Sequence, residues 1–205
     1  MKAWRKVKME IKNYEVGDQI TVKLKNFGKF TATAQRVYAD GTTLFLFDNC
    51  VAEHEMNESG SNAGGFYESD LCKWMNTELV KSFPIKLLDR MIYTDKEHRC
   101  LLRTPTRKEM FGEDEYSENY EPDLGEQFEL MKDRKNRVCS LPDDEYAWYW
   151  LMNAHLRSSS AFAFVGAGGA SFNDGASNSR GVRPAFLIRQ SIIHSPCGRG
   201  NGKWE

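Results

Sequence analysis

With 205 residues, the chain is long enough for one well-cored domain and short for two. Its 28 Lys and Arg nearly balance 29 Asp and Glu, and a formal net charge of -1 excludes a nucleic-acid partner held by a strong positive field. Hydrophobic content of 40% beside 28% charge is ordinary for a globular chain, and no run approaches the roughly 18 consecutive apolar residues of a membrane span.

The basic start, Lys2, Arg5, Lys6 and Lys8, is broken by Trp4 and Val7 and reads as a polar strand edge or tail. Met9-Glu10-Ile11-Lys12 returns to charge at once, so a signal-peptide core is not expected there. The expected location is the cytoplasm when the chain is made, with virion assembly and lysis as a route outward. Gln19 to Leu24 alternates apolar and polar residues with period two after a turn at Gly17-Asp18. Phe30 to Ala34 follows a hairpin turn at Asn26-Phe27-Gly28. Asp40-Gly41 then separates Arg36-Val37-Tyr38 from Thr43 to Phe47, a strong hairpin signal because glycine takes positive φ freely.

After the polar stretch Glu53 to Gly65, Leu71, Trp74, Met75, Leu79 and Val80 recur at helical spacing. Ser69 or Asp70 can cap that helix, which should end before Pro84. Thr106-Arg107-Lys108-Glu109 is a capping-box pattern, with Gly112 placed to stop a second, shorter helix. Glu113 to Glu126 lacks the ordered alternation of a calcium loop and reads as a solvated acidic insertion. Structure resumes at Gln127 to Met131, and Tyr146 to Met152 is the densest aromatic run.

Five cysteines, Cys50, Cys72, Cys100, Cys139 and Cys197, lie far apart with no CxxC pair. An odd, widely spaced set reads as reduced thiols, several of them in the core. The four histidines, His54, His98, His155 and His194, are scattered too, so neither a metal nor a cofactor is expected. For catalysis the available pairs are Ser158 to Ser160 or Cys139 with His155. Neither comes with a nucleophile elbow or an oxyanion-hole motif, so the chain reads as a non-enzyme, with His155 packed beside the aromatic run.

From Leu156 to Ile188 the chain contains no Glu, Lys, Gln, Met or Trp. Phe162, Phe164, Val165 and Phe172 and the apolar flanks argue against a flexible linker. Gly166-Ala167-Gly168-Gly169 has neither the lysine nor the following helix of a phosphate-binding loop. Every residue in the window can be encoded by a codon ending in a pyrimidine, and most are reached from an asparagine codon by changing its adenines. Gly181 to Ile188 reads as one final strand before a polar tail, 189–205.

Trp148-Tyr149-Trp150-Leu151, Leu156-Arg157-Ser158 and Ala176 through Gly181-Val182-Arg183-Pro184-Ala185 resemble the C-terminal part of variable proteins of diversity-generating retroelements. The Gly-Val-Arg-Pro-Ala ending is also typical of a related bacterial and phage family of unknown function. Phe45 to Asp48, Ser69 to Asn76, Leu101 to Pro105 and Lys132 to Arg137 agree in order. Ser159 departs from the proline common in relatives, and the tail has no counterpart.

The resemblance implies an α+β, C-type-lectin-like fold over residues 1–188: two helices on antiparallel sheets and a long irregular C-terminal segment, variable at about 157–181. It implies a non-enzymatic display protein of phage or prophage type, recognising a protein or cell-surface ligand through residues diversified at adenines. The implied exposed, variable positions are Ser160, Ala161, Phe164, Gly166, Gly168, Phe172, Asn173, Asp174, Gly175, Asn178 and Arg180. Phe162, Val165, Gly169, Ala176 and Ser177 are implied scaffold. Phe164 and Phe172 are the expected anchors, dispensable for stability, with Arg180 and Asp174 as charge contacts. The alternatives are an oxidase resembling the formylglycine-generating enzymes, whose cysteine pair finds no local match in Cys139 and Cys197, and an invariant structural component.

Overall fold

The computed structural model describes residues 14–123, 125–142 and 144–189; the basic start at Lys2 to Lys8, His194, Cys197 and the tail from 190 lie outside the described residues. Strands β1 (Gln19–Leu24), β2 (Gly28–Val37) and β3 (Thr43–Phe47) form an antiparallel meander, as the alternation of Gln19 to Leu24 and the two turn signals predict. Asn26 at φ 70° and Gly28 at φ 112° make the first turn, and Gly41 at φ 79° the second. Phe30 to Ala34 and Arg36-Val37 are one strand, interrupted only by a shift in register between Ala34 and Arg36.

After β4 (Ala52–Glu55), Ser69 caps helix α1 (Asp70–Thr77), its Oγ accepting the Cys72 N–H at 3.0 Å. The apolar spacing beyond Thr77 continues as a 3-10 turn, Leu79–Ser82, and not as α-helix. Helix α2 (Ile85–Leu88) starts behind Pro84 and is too short for its periodicity to be read. Strands β5 (Met91–Ile92) and β6 (Leu102–Arg103) follow. Helix α3 (Arg107–Phe111) carries the predicted capping box: Thr106 Oγ1 accepts the Glu109 N–H at 3.1 Å, and Glu109 Oε2 accepts the Thr106 N–H at 2.9 Å. The described residues therefore hold three α-helices where the sequence suggests two.

The remaining strands are β7 (Cys139–Leu141), β8 (Asp144–Ala147), β9 (Tyr149–Ala154), β10 (Ala161–Val165), β11 (Ser171–Gly175), β12 (Ser179–Val182) and β13 (Ala185–Ile188). They complete a six-stranded sheet in the order β1-β2-β3-β13-β5, with β6 also on β13, and a five-stranded sheet in the order β11-β10-β9-β12-β4. Strands β7 and β8 pair separately. The fold is α+β and mostly antiparallel; β12 meets β9 in parallel through Gly181 and Tyr149. No helix among the described residues is long and apolar enough to cross a membrane.

Two apolar clusters share the central strands. Phe45, Phe47, Trp150, Phe162, Phe164 and Phe186 enter one. Leu44, Leu46, Tyr149, Leu151, Ala163, Val165 and Ala185 enter the other. Strands buried on both faces lose the polar–apolar alternation that reveals a strand. Residues 157–181, expected as a long irregular segment, instead hold β10, β11 and the start of β12, and the burial of β10 on both faces is why it does not show as a strand in the sequence.

The expected single strand from Gly181 to Ile188 is two, β12 in one sheet and β13 in the other. Pro184 has no N–H to continue a ladder, and its carbonyl instead accepts the Phe47 N–H at 3.0 Å. Arg183, at the crossing, is 3% exposed. Its Nε donates to the Phe47 carbonyl at 2.7 Å, its Nη1 to the Tyr149 hydroxyl at 3.0 Å, and both Nη atoms to the Asn136 carbonyl at 3.2 Å. Burial pushes the Tyr149 phenol well above its usual range, so it remains neutral and donates to the Arg137 carbonyl at 2.6 Å.

Replacing Arg183 with Met strands these acceptors in the interior. We expect a loss of about 3 kcal/mol or more, read by guanidinium denaturation, with Arg183→Lys recovering little because an ammonium lacks the planar fork.

Candidate ligand-binding face

Strands β9, β10 and β11 place a row of side chains across the five-stranded sheet. Phe164 on β10 pairs in register with Phe172 on β11, and their rings stack at 5.7 Å between centroids and 27° between planes. Trp148, just before β9, stacks on the other side of Phe164 at 5.6 Å and 26°. Arg180 on β12 lies over Trp148, its guanidinium carbon 4.9 Å from the ring centroid, and 5.8 Å from that of Phe164. The ends of the row face water: Phe172 is 53% exposed and Trp148 48%, whereas Phe164 between them is 6% exposed. Trp148 was not among the predicted positions, because it precedes the compositionally distinct window. Its place in the aromatic run and its place in the Trp148-Tyr149-Trp150-Leu151 motif were the available signals.

Phe164 is thus a correction to the expectation of an exposed anchor. Neighbouring rings and Trp150, at 6.4 Å edge-on, bury it. Ala161, at 7% exposed, is buried as well, since β10 runs between β9 and β11 with both faces covered. Gly166 is buried at the β10–β11 hairpin; a Cβ there would sit 2.9 Å from the Phe172 ring. Ser177, expected as scaffold, is exposed.

Ser160, Gly168, Asn173 and Asn178 are exposed as expected, and Asp174, Gly175 and Arg180 are half-buried. Phe162, Val165, Gly169 and Ala176 are buried, as expected of scaffold. Asp174 and Arg180 do not present free charges. They form an ion pair with each other, and Asp174 Oδ1 also accepts the Asn178 side-chain amide at 2.6 Å and the Gly175 N–H at 2.8 Å. The Asp174 carboxylate is therefore the organiser of the turn from β11 to β12.

The surrounding frame holds this face from below. The Asn62 side-chain amide donates to the carbonyls of Ser158, Ala161 and His155 at 2.7, 3.1 and 3.2 Å, which fixes the loop before β10. The Asn57 N–H donates to the Ala176 carbonyl at 2.9 Å. Arg134 Nε donates to the Gly168 carbonyl at 2.6 Å and docks the β10–β11 hairpin. Neither asparagine was singled out in the sequence, where both sit in a polar stretch with no periodicity.

The glycines separate frame from face. A Cβ at Gly168 meets only the Arg134 guanidinium at 3.5 Å, and one at Gly175 only the Asn178 amide at 3.6 Å. At Gly169, φ is +75° and a Cβ would lie 2.8 Å from the Arg134 carbonyl oxygen. At Gly181 it would lie 2.7 Å from Cys50 Sγ and 2.9 Å from the Trp148 carbonyl oxygen.

The residues considered for catalysis are placed differently. His155 Nδ1 accepts the Arg157 N–H at 3.2 Å, and its ring packs edge-on against Tyr120 at 5.1 Å. Cys139 lies beside Cys50 in the interior. The acidic segment is less free than predicted: both Asp114 carboxylate oxygens accept from Arg107 Nη2 at 2.8 Å, and Asp123 accepts the Asn153 amide at 2.8 Å. Open clefts of about 450 and 480 Å³ flank Glu121-Pro122-Asp123, and neither is lined by histidine or cysteine. In the larger, burial and the nearby Asp95 push the Tyr67 phenol up to about 12. Among the described residues, no group of three or more His, Cys, Asp or Glu is placed to hold a metal ion.

These features define an α+β domain that presents an aromatic row on the edge half of an antiparallel sheet. Residues 40–190 match the family described as "Domain of unknown function (DUF6273)", and the chain belongs to that family. Comparisons with curated proteins and with solved structures found no match.

Gly168→Ser and Gly175→Ser should change stability by no more than about 0.5 kcal/mol, whereas Gly169→Ala and Gly181→Ala should each cost about 1–3 kcal/mol. Phe172→Ala should cost about 1 kcal/mol of stacking, against about 3–5 kcal/mol for Phe164→Ala. Denaturant midpoints of the purified variants check all six residue-level expectations together; equal costs at Phe164 and Phe172 would contradict the division.

Proposed function

We propose that this domain is a non-enzymatic display module with a C-type-lectin-like fold, which binds a protein or cell-surface ligand through the face built on Trp148 and Phe172. The observation that carries the reading is the cross-strand row itself. Two large aromatic side chains stand about half in water at its ends, while a buried ring and an internal ion pair hold them in place. Rigid aromatics supply contact area at little cost in conformational entropy, and the Ser, Asn and Gly around them supply adaptable hydrogen bonding. The predominantly antiparallel α+β architecture accords with the fold proposed.

We place adenine-directed variation by a retroelement at Ser160, Gly168, Phe172, Asn173, Gly175 and Asn178. Space around Gly168 and Gly175 supports this, because larger side chains fit there without moving the backbone. Recognition of phage or bacterial surfaces is the corresponding biological role.

Sequencing the coding locus and its flanks in related isolates tests the reading. The expected finding is a second, near-identical copy of the Leu156-to-Gly181 coding segment that differs at adenines, beside a reverse-transcriptase gene. A locus with neither, whose differences between isolates fall evenly on the buried and exposed codons, would refute diversification of this face.

A further inference from the structure

We propose that Cys50 with Cys139, and Cys72 with Cys100, are two dithiol couples that close to disulfides on oxidation by a low-molecular-weight disulfide. This inference stands independently of the proposed function. Each of the four described cysteines is free and buried, yet none is alone. The Cys50 and Cys139 sulfurs are 2.7 Å apart, and those of Cys72 and Cys100 are 3.4 Å apart. A disulfide needs a separation of about 2.05 Å, so both pairs reach bonding distance by small side-chain rotations, provided that their backbones are already in position.

Hydrogen bonds that do not involve sulfur hold the backbone segments of each pair together. The Cys50 N–H donates to the Ser140 carbonyl at 2.9 Å, and the Ser140 N–H to Asn49 Oδ1 at 3.2 Å. These fasten β7 to the turn after β3. For the other pair, the Asn76 amide donates to the Cys72 carbonyl at 3.0 Å and to the Leu102 carbonyl at 2.9 Å. Asn76 Oδ1 in turn accepts the Leu101 and Leu102 N–H groups at 2.8 and 2.9 Å, joining α1 to β6. The members of the pairs are 89 and 28 residues apart in the chain. The four described cysteines are free and buried, as expected of reduced core thiols; what spacing in the sequence concealed is that they lie in two pairs.

In the folded state each couple has one member held below the usual thiol range. Burial disfavours the Cys139 thiolate, but the hydrogen bond from Cys50 and the Arg183 charge outweigh it and hold Cys139 below the usual thiol range. The hydrogen bond from Cys72 does the same for Cys100, against burial and Asp95, with help from His98. A thiolate attacks one sulfur of the external disulfide, forming a mixed disulfide and releasing one thiolate. The second cysteine gives up its proton, attacks the protein sulfur and expels the other thiolate. Two cysteine thiols are oxidised, the external disulfide is reduced to two thiols, and no further reactant is required. With all four residues at most 4% exposed, the exchange takes place during folding or local opening.

The test is refolding of the full chain in oxidised and reduced glutathione, followed by alkylation of free thiols and non-reducing peptide mapping. The expected map links Cys50 to Cys139 and Cys72 to Cys100 and leaves Cys197 alkylated. Addition of a dithiol reductant to the oxidised protein should lower the guanidinium midpoint by roughly 0.5–1 M. Cys50→Ala and Cys72→Ala should each abolish one link and leave the other, and the wild-type map remains decisive if either variant fails to fold. Alkylation of all four thiols after refolding, a map with different partners, or a midpoint indifferent to reductant would overturn the proposal.

Discussion

The whole arrangement turns on the buried guanidinium of Arg183. It occupies the point where the chain leaves the five-stranded sheet as β12 and enters the six-stranded sheet as β13. Its partners come from β3, from β9 and from the 3-10 turn Arg134–Arg137, so one side chain ties both sheets to the segment that docks the β10–β11 hairpin. Those partners are carbonyls and a phenol, which satisfy a planar fork of donors without burying a second formal charge. The neighbouring residues follow from the same crossing. Gly181 permits contact with Cys50 and the Trp148 carbonyl, Pro184 ends the ladder, and Ala185 is fully buried against the second cluster.

From that anchor the structure divides into residues that cannot change and residues that can. Strand β10 is packed on both faces and bordered by β9 and β11, so its side chains answer to the core whatever their chemistry. Strand β11 is the sheet's terminal strand, and Phe172 and Asn173 on it are exposed. The Asp174–Arg180 pair looks like a set of contact charges in one dimension; in three it closes the turn and covers Trp148. Its charges are already matched, so the face gains shape from them more than electrostatic reach.

The legible parts of the fold were those governed by local rules. The alternation in β1, the Asp40-Gly41 turn, the Ser69 cap and the Thr106/Glu109 box each depend on residues within a few positions of one another. What escaped was set by distant packing. Strand β10 reads as Ala-Phe-Ala-Phe-Val because two cores compete for it, and the split after Val182 depends on which sheet receives each half. The candidate face was legible as a compositional window, but composition cannot rank residues by depth. Phe164 and Phe172 look equivalent on the line, and only the pairing of β9 with β10 separates a buried ring from an exposed one. Trp148 stood in the aromatic run but was not assigned to the face, for the converse reason: it belongs there through space while lying before the window in sequence.

Exposed aromatics on an edge strand invite edge-to-edge association, and natural sheets ordinarily blunt such edges with charge, bulges or proline. Here the available brakes are modest: Asn173 beside Phe172, and an Asp174 whose charge is spent on Arg180. A merely structural sheet edge gains only about 1 kcal/mol of stacking from placing Phe172 half in water, since Trp148 and Trp150 also cover Phe164. The stacking fixes the ring in advance, so a ligand that meets it spends little on ordering the protein. Phe172 adds little to the core and is held rigid on a docked hairpin, and these two properties are the physical ground for the contact proposed for this face.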